Sequence, residues 1–439
     1  MIDRRTILAS GLASGAALAA APVFAKPMPK VSPEFPEGFI WGAATAGHQV
    51  EGNNVNSDCW LLENISPTLY EEPSRDACNS FELWRTDLDL VKAMGLNSYR
   101  FSLEWARIEP EEGMFSRAML DHYKAMIDGC RERGLRPIVT FNHNTTPLWF
   151  AKRGGWTNPQ APARFARFCE NAARHLAGGI SHATTLNEPN LMNLLLIVLP
   201  PQVSAAQHAM LEAAAKATGA AKFAAGNGFE TADAAVATAN LAAGHKAGRD
   251  AIKAVRPDLP VGLSLAMFDD QAAGRNSIRD QMRERLYSPW LEAVKGDDFL
   301  GVQNYERQVW GSTGKLPTPP GVPVNYSGSE VYAPSLGNAV RYAHAASGVP
   351  IMVTEHGVGT ADDTIRCNLI PAALAGLRQA VAEGVPVLGY VHWSLLDNFE
   401  WIFGYKVKFG LHAVDPVTFA RTPKQSAAVL GAIARRNSL

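Results

Sequence analysis

Short apolar runs alternate with helical patterns along almost the whole 439-residue chain. Strict alternation of strand and helix predicts parallel strands joined by helical crossovers. Eight strands are predicted, at Phe39–Thr45, Ser98–Leu103, Arg136–Phe141, His182–Glu188, Val261–Ala266, Phe299–Tyr305, Pro350–Glu355 and Val387–Trp393. Helices are predicted at Asn79–Met94, Met119–Arg133, Arg164–Leu176, Thr231–Val255, Ile278–Val294, Leu336–Ala346, Leu369–Glu383 and, after Thr422 as its N-cap, Pro423–Arg435.

Eight strand–helix units in a chain of this length indicate an α/β fold of the closed (β/α)8 type, the TIM barrel, as a single domain. The alternative is an open doubly wound sheet, which usually carries a Gly-rich phosphate loop after its first strand. Here that position reads "GAATAG" at 42–47, which is not GxGxxG. We therefore predict a barrel over residues 26–439, with a long Gly- and Pro-rich loop at 307–334 covering the active-site face.

Residues 1–25 are not predicted to belong to the barrel. A twin arginine, Arg4-Arg5, precedes an apolar, Ala-rich stretch that closes on Val23-Phe24-Ala25. This pattern resembles a twin-arginine export signal. The alternative is an uncleaved membrane anchor, but the apolar region is short and rich in Gly and Ala. We expect cleavage after Ala25 and a soluble periplasmic or secreted protein with no membrane contact after cleavage.

Charge and cysteine content exclude several classes of partner. Lys and Arg number 41 against 42 Asp and Glu, so no basic face for nucleic acid or an acidic membrane is indicated. The five cysteines form no CxxC or zinc-like cluster, and no metal site is predicted. Cys59 and Cys78 could pair after export, although buried free thiols are the stronger expectation.

Two predicted strands end on a glutamate. The fourth runs into "LNEPN", where Asn, Pro and a charge are poor strand residues, and the seventh ends as "VTEHG". Because all strands of a barrel open at their carboxyl ends onto one face, Glu188 and Glu355 are expected to point into one cleft. Two unrelated ion pairs at the rim are the alternative. Two carboxylates facing across a cleft suit glycoside hydrolysis.

Polar and aromatic side chains also follow the other predicted strands. They include Gln49, Arg100, His143, Asn144, Trp393, Glu400 and Trp401. Hydroxyl-rich ligands need amide, imidazole and carboxylate partners, and indole faces suit the C–H side of a sugar ring. Each residue alone could be structural, but their joint placement at strand ends indicates a sugar site.

Six stretches together resemble glycoside hydrolase family 1, the β-glucosidase family. They are "FIWGAATAGHQVEG", "YRFSLEWARIEP", "LNEP", "VTEHG", "GYVHWSLLDNFEWIFGYKVKFGL" and "RTPKQS", and they extend over essentially all of 26–439. The resemblance implies a retaining β-glycosidase, foremost a β-glucosidase that cleaves the non-reducing-end bond of short oligosaccharides or glycosides. It implies no metal or organic cofactor and a small carbohydrate or glycoside as the partner.

The resemblance also implies roles for individual residues. Glu188 matches the acid/base, Glu355 the nucleophile, and Arg100 the arginine beside the nucleophile. The matched sugar-binding positions are Gln49, His143, Asn187, Glu400, Trp401 and the platform Trp393. Asn144 and Asn190 stand where the family places aromatic residues, which implies that the leaving-group side has lost a stacking surface.

The end of the sixth predicted strand departs from the family. Asn304-Tyr305-Glu306 stands where the family reads Asn-Tyr-Tyr, with Asn304 matching the asparagine. Because strand side chains alternate, we expect Asn304 and Glu306 to share the cleft face and Tyr305 to take the other. Glu306 would then lie near Glu355 and couple to its titration. The alternatives are pairing with Arg307 or another cation, or a hydrogen bond to a substrate hydroxyl.

Two other functions fit the same residues. A transglycosylase would pass the same intermediate to a sugar acceptor, and a sugar-binding protein would have lost catalysis. The presence of both Glu188 and Glu355 argues against the second. The sequence leaves the oligomeric state open.

Overall fold

The computed structural model describes residues 34–198, 201–226 and 228–439, so the predicted signal at 1–25 lies outside the described residues. The strands are β1 Ile40–Ala44, β2 Ser98–Ser102, β3 Arg136–Asn142, β4 His182–Asn187, β5 Val261–Ala266, β6 Asp269–Ala272, β7 Phe299–Asn304, β8 Arg307–Trp310, β9 Ile351–His356, β10 Val387–Trp393, β11 His412–Val414 and β12 Arg421–Pro423.

The α-helices are α1 Gly47–Val50, α2 Asp58–Asn64, α3 Ser80–Ala93, α4 Trp105–Ile108, α5 Arg117–Glu132, α6 Leu148–Ala151, α7 Ala161–Leu176, α8 Leu191–Val198, α9 Pro201–Thr218, α10 Ala234–Val255, α11 Arg279–Ala293, α12 Ser335–Ser347, α13 Asp363–Ala382 and α14 Gln425–Arg436. Short 3-10 turns lie at Gly155–Thr157, Ala177–Gly179, Thr231–Asp233 and Trp401–Phe403.

Eight parallel strands close into a barrel, in the order β1-β10-β9-β7-β5-β4-β3-β2. The predicted (β/α)8 fold is confirmed, and each predicted strand boundary agrees to within one residue. The strands are near-continuous apolar runs because they are covered on both faces, by the barrel interior and by the outer helices. All six residues of β5 are buried, for example, as are all five of β1.

The predicted long loop at 307–334 is partly wrong, because it begins with β8. This strand pairs in parallel with β6, with Asp269 opposite Arg307. Strands β6 and β8 follow the adjacent barrel strands β5 and β7. Their pairing therefore continues that side of the sheet beyond the barrel rim as a separate two-stranded ladder.

The predicted start of the last helix is also wrong. Thr422 and Pro423 lie in β12, which pairs antiparallel with β11. The helix α14 begins two residues later, and Lys424 occupies its N-cap position. A proline donates no amide hydrogen, so its place at the end of this short edge strand is compatible with the pairing.

All five cysteines lie within the described residues, and all are free thiols. The alternative of a Cys59–Cys78 disulfide is therefore wrong, and the expectation of buried free thiols is confirmed for this pair. Cys78 donates its thiol hydrogen to the carbonyl oxygen of Asp397 at 3.4 Å. The Cys78 thiol is therefore hydrogen-bonded to Asp397 and not to Cys59. Among the described helices, none has the length and apolar character needed to cross a bilayer.

Candidate active site

A cavity of about 500 Å³ opens at the carboxyl ends of the barrel strands. Glu188, immediately after β4, and Glu355, the penultimate residue of β9, both line it. Strands β4 and β9 are separated by β5 and β7 in the closed sheet, so the two glutamates enter the cavity from different parts of the ring. The predicted meeting of the two acids in one cleft is therefore observed.

Both oxygens of the Glu355 carboxylate are held by neighbouring donors. Arg100 Nη1 donates to Oε1 at 2.6 Å, and the Tyr305 hydroxyl donates to Oε2 at 2.6 Å. Burial raises the pKa of Glu355, while the Arg100 charge and the Tyr305 hydrogen bond act against that rise. These two donors favour the ionised form and fix the orientation of the carboxylate.

The carboxylate of Glu188, unlike that of Glu355, has no neighbouring donor within the described part of the chain to stabilise its charge. Among the described residues, no side chain or backbone group donates a hydrogen bond to it. Burial raises the pKa of Glu188 well above its usual range, and repulsion from Glu355 adds to the rise. Burial and this repulsion therefore both favour the protonated form of Glu188, the form that a general acid needs before it acts.

The backbone of Glu188 is constrained. Its φ is +42°, in the left-handed region that is unfavourable for a residue with a Cβ. The amide of Glu188 donates to the carbonyl of Ser264 at 2.8 Å, and Pro189 follows. Strand β4 therefore ends sharply, which explains why the strand formers stop at Asn187-Glu188-Pro189.

Asn187 links Arg100, which binds Glu355, to His143. Its Oδ1 accepts hydrogen bonds from Arg100 Nη2 at 2.6 Å and from Gln303 Nε2 at 2.7 Å. Its Nδ2 lies 3.1 Å from His143 Nε2. Burial lowers the pKa of His143 well below its usual range, and the Arg100 charge adds to this. His143 is therefore neutral, and Asn187 donates to its Nε2, which leaves the proton on Nδ1.

The inner part of the cavity combines carboxyl, amide and indole groups. Gln49 Nε2 lies 3.3 Å from Glu400 Oε2. The His143 ring stacks on Trp393 at a centroid distance of 5.7 Å and on Trp401 at 6.3 Å. Burial is the main cause that raises the pKa of Glu400 to about 8, and repulsion from Glu355 adds to the rise. A neutral Glu400 carboxyl can both donate and accept a hydrogen bond.

Six buried polar atoms of residues that line this cavity have no hydrogen-bond partner within the described part of the chain. They are Gln49 Oε1, His143 Nδ1, Asn144 Oδ1, Gln303 Oε1, Glu306 Oε2 and Gln308 Oε1. Buried polar atoms are rarely left unpaired, because the loss of water costs about 1–3 kcal/mol for each. Donors and acceptors left open beside indole faces fit a ligand with several hydroxyl groups.

The predicted orientation of Asn304 is wrong. Its Nδ2 donates to the Met267 carbonyl at 2.9 Å, and its Oδ1 accepts from Ser335 Oγ at 2.8 Å. Asn304 thus ties β7 to the loop after β5 and to α12, away from Glu355. Gln303 and Tyr305, one position to either side, reach Asn187 and Glu355. The cleft-facing residues are therefore shifted by one from the prediction.

Glu306 makes no hydrogen bond to Glu355, whose two oxygens are bonded to Arg100 and Tyr305, and the expected coupling of the two residues stays a prediction. Strand β7 ends at Asn304, so the alternation on which the prediction rested does not extend to residue 306. Glu306 Oε1 accepts from Gln308 Nε2 at 3.2 Å. Pairing with Arg307 is wrong, because Arg307 binds Glu330 at 2.5 Å. Glu306 does line the cavity, and its Oε2 has no partner among the described residues.

The sequence reasoning missed Gln303 and a supporting role for His48. The His48 ring stacks nearly parallel on Trp401 at a centroid distance of 5.8 Å, and its amide donates to Glu104 Oε1 at 2.9 Å. Counting back by two from Tyr305 would have identified Gln303. No local signal pairs His48 with Trp401, because His48 lies in α1, after β1, and Trp401 in the 3-10 turn after β10. The described residues include no group of three or more His, Cys, Asp or Glu side chains suited to a metal ion.

The model of glycosyl hydrolase family 1 matches residues 31–248 and 319–439. A β-glucosidase from Agrobacterium sp. (strain ATCC 21400) is 29% identical over 91% of this chain and 95% of its own length. A β-galactosidase from Pyrococcus woesei is 27% identical over 89% of this chain and 95% of its own length.

Two solved structures of β-glycosidases are also similar to this chain in fold and sequence. A β-glycosidase, BGL167, is 46% identical with a TM-score of 0.87, covering 93% of this chain and 98% of its own. A β-glucosidase, 1317, is 38% identical with a TM-score of 0.88, covering 91% and 98% respectively.

Proposed function

The chain belongs to glycosyl hydrolase family 1 and is a β-glycosidase, and we propose that it is a β-glucosidase that hydrolyses short oligosaccharides or glycosides with retention of configuration. The observation that carries the proposal is the unequal treatment of its two acids. Glu355 is held by two donors, whereas Glu188 has none and its pKa is raised well above the usual range by burial. One acid is thus prepared to attack and the other to protonate.

In the first step, a Glu355 oxygen attacks the anomeric carbon and forms a glycosyl ester. The bond between that carbon and the leaving oxygen breaks, and Glu188 donates its proton to the leaving oxygen. As the Glu355 charge is consumed, the repulsion that raised the pKa of Glu188 disappears. The acid can therefore remain ionised after it has given up its proton.

In the second step, ionised Glu188 takes a proton from water, and the water oxygen attacks the anomeric carbon. The ester bond to Glu355 breaks and the carboxylate returns to Arg100 and Tyr305. Glu188 regains its proton and the cycle closes. Two displacements at one carbon give overall retention.

Glucose is proposed as the sugar on two grounds. The matched relatives include β-glucosidases from Agrobacterium sp. and Thermotoga maritima. Gln49, with its Oε1 unpaired, and a protonated Glu400 offer both acceptors and a donor to ring hydroxyls. A glucoside places all of its ring hydroxyls equatorially, at the ring edge, and leaves its C–H faces for an indole such as Trp393.

A screen of chromogenic β-glycosides tests the sugar, and proton NMR of the early product tests the mechanism. We expect the β-glucoside to give the highest kcat/KM and β-glucose to appear before mutarotation. Early formation of the α-anomer would rule out retention. Product analysis of reactions at high acceptor concentration distinguishes hydrolysis, which yields free sugar, from transfer, which yields new glycosides.

We also propose export by the twin-arginine route and cleavage after Ala25. The support is the Arg4-Arg5 pair followed by the Ala-rich apolar stretch. N-terminal sequencing of protein from the periplasm should begin at Lys26. Replacement of Arg4 and Arg5 by Lys should retain the uncleaved chain in the cytoplasm, whereas unchanged export would contradict the proposal.

A further inference from the structure

The cavity that holds the catalytic acids also has an aliphatic wall. Helix α8 directs Leu191 and Leu195 towards it, four residues apart and so on one helix face. Helix α9 adds Val203 and Met210, seven residues apart on one face. Leu62 of α2 and Leu69 from the following loop complete this apolar wall.

The apolar wall is continuous with the catalytic acids, because Glu188 and Glu355 line the same cavity. Leu191, Leu195 and Val203 remain partly exposed, so part of each side chain is free to contact a ligand. The part of the wall on α8 begins at Leu191, three residues after Glu188 in the chain. Since Glu188 protonates the leaving oxygen, the group attached to that oxygen is the one that meets the wall.

A second sugar is a poor occupant of this wall. Aliphatic side chains offer no hydrogen bonds, so hydroxyls that face them lose water without replacement. Asn190, which stands at an aromatic position of the family, is fully buried and bonded to the Ala266 backbone at 2.7 and 3.1 Å. It therefore supplies neither a stacking surface nor a free polar atom to a leaving sugar.

We propose that the preferred substrates are glycosides whose leaving group is a large apolar alcohol rather than a second sugar. The proposal rests on the β-glycosidase function above and specifies its substrate class. Apolar area buried against the wall lowers the free energy of the bound state in proportion to that area. Polar residues that also line the cavity, among them Glu306 and Gln308, leave room for a hydroxyl on this group.

The n-alkyl β-glycosides from ethyl to octyl test the proposal, using the sugar that the chromogenic screen selects. Their alcohols differ little in acidity, so a change in kcat/KM along the series reports contact rather than leaving-group chemistry. We expect kcat/KM to rise about three- to fourfold with each added methylene that becomes fully buried. We expect the octyl glycoside to have a higher kcat/KM than the disaccharide of the same sugar.

A matched pair of variants locates the effect. Val203→Asn places an amide in the apolar wall and should reduce the ratio of octyl to ethyl kcat/KM by about threefold or more. Val236→Asn makes the same change on α10, where Val236 is 51% exposed and does not line the cavity. That control should retain the wild-type ratio.

The outcomes separate this inference from the function on which it rests. If no β-glycoside is cleaved, including nitrophenyl glycosides, the β-glycosidase function itself fails. If small glycosides are cleaved but the alkyl series is flat, or the disaccharide is preferred, the apolar leaving group is wrong. An unchanged ratio in Val203→Asn, or an equal fall in Val236→Asn, overturns the role of the apolar wall.

Discussion

Glu355 and Glu188 are carboxylates of the same kind in one cavity, yet their surroundings differ. Glu355 has a charged donor on one oxygen and a hydroxyl donor on the other. Glu188 has neither, sits on a left-handed backbone and has its pKa raised well above the ordinary range by burial. The comparison shows that role is assigned by neighbours rather than by residue type, because donors stabilise the anion and burial stabilises the acid.

The largest expected effect comes from Glu355→Gly. Without a nucleophile the first displacement cannot occur, and kcat/KM should fall by about 10⁴-fold or more. Azide can enter the vacated space, restore turnover and give the glycosyl azide of inverted configuration. Circular dichroism checks that the variant folds. Residual hydrolysis near the wild-type rate would exclude Glu355 as the nucleophile.

The next largest effect is expected for Glu188→Ala, and it depends on the leaving group. General acid catalysis contributes about 10²–10⁴-fold where the leaving oxygen needs a proton. Alkyl glycosides should lose activity to that extent, whereas dinitrophenyl glycosides, whose leaving group is a weak base, should lose far less in the glycosylation step. Pre-steady-state release of dinitrophenol measures that step. Equal losses on both substrates would contradict the acid role.

Tyr305→Phe tests the difference between the two acids directly. Its hydroxyl lowers the pKa of Glu355, so its removal should raise that pKa and leave more of Glu355 protonated at low pH. Since attack requires the ionised form, the acidic limb of the pH profile of kcat/KM should move to higher pH. A hydrogen bond to a charged group contributes about 1.5–3 kcal/mol, so kcat/KM should fall by about 10–100-fold. An unmoved acidic limb would refute the contact's role.

Glu306→Gln is the smallest change and the matched control for Tyr305→Phe, one residue away. Glu306 hydrogen-bonds to Gln308 rather than to Glu355, and a glutamine at 306 still offers an oxygen to Gln308 Nε2. We expect the acidic limb to stay in place and kcat/KM on a small glycoside to change by less than about threefold. A downward shift of the limb would instead support direct coupling between residues 306 and 355.

Much of the barrel could be predicted because its signals are local. The strands β5 and β10 match their predicted bounds, since runs such as Val261–Ala266 are apolar throughout and end at helical or turn residues. The pairing of β6 with β8 could not be predicted, because each strand has four residues and its partner lies some 38 positions away, as with Asp269 and Arg307.

The sequence predicted which residues would form the site, but not which of their atoms would be in contact. Glu188 and Glu355 follow from strands that end on an acid at one face of a barrel. The error at Asn304 arose from extending the alternation of side chains to Glu306, beyond the end of β7 at Asn304. Gln303 and Tyr305 took the cleft positions instead, a shift of one residue that reverses every facing side chain.

The sequence by itself determined the strand–helix alternation, the polar residues at strand ends and the pair of glutamates, because these depend on neighbours along the chain. Only the tertiary structure decided which atoms meet. Arg100 and Tyr305 reach Glu355 across 255 and 50 positions, and closure of the barrel brings them together. That closure gave one glutamate two donors and left the other buried without any, because burial and contact are properties of the assembled ring.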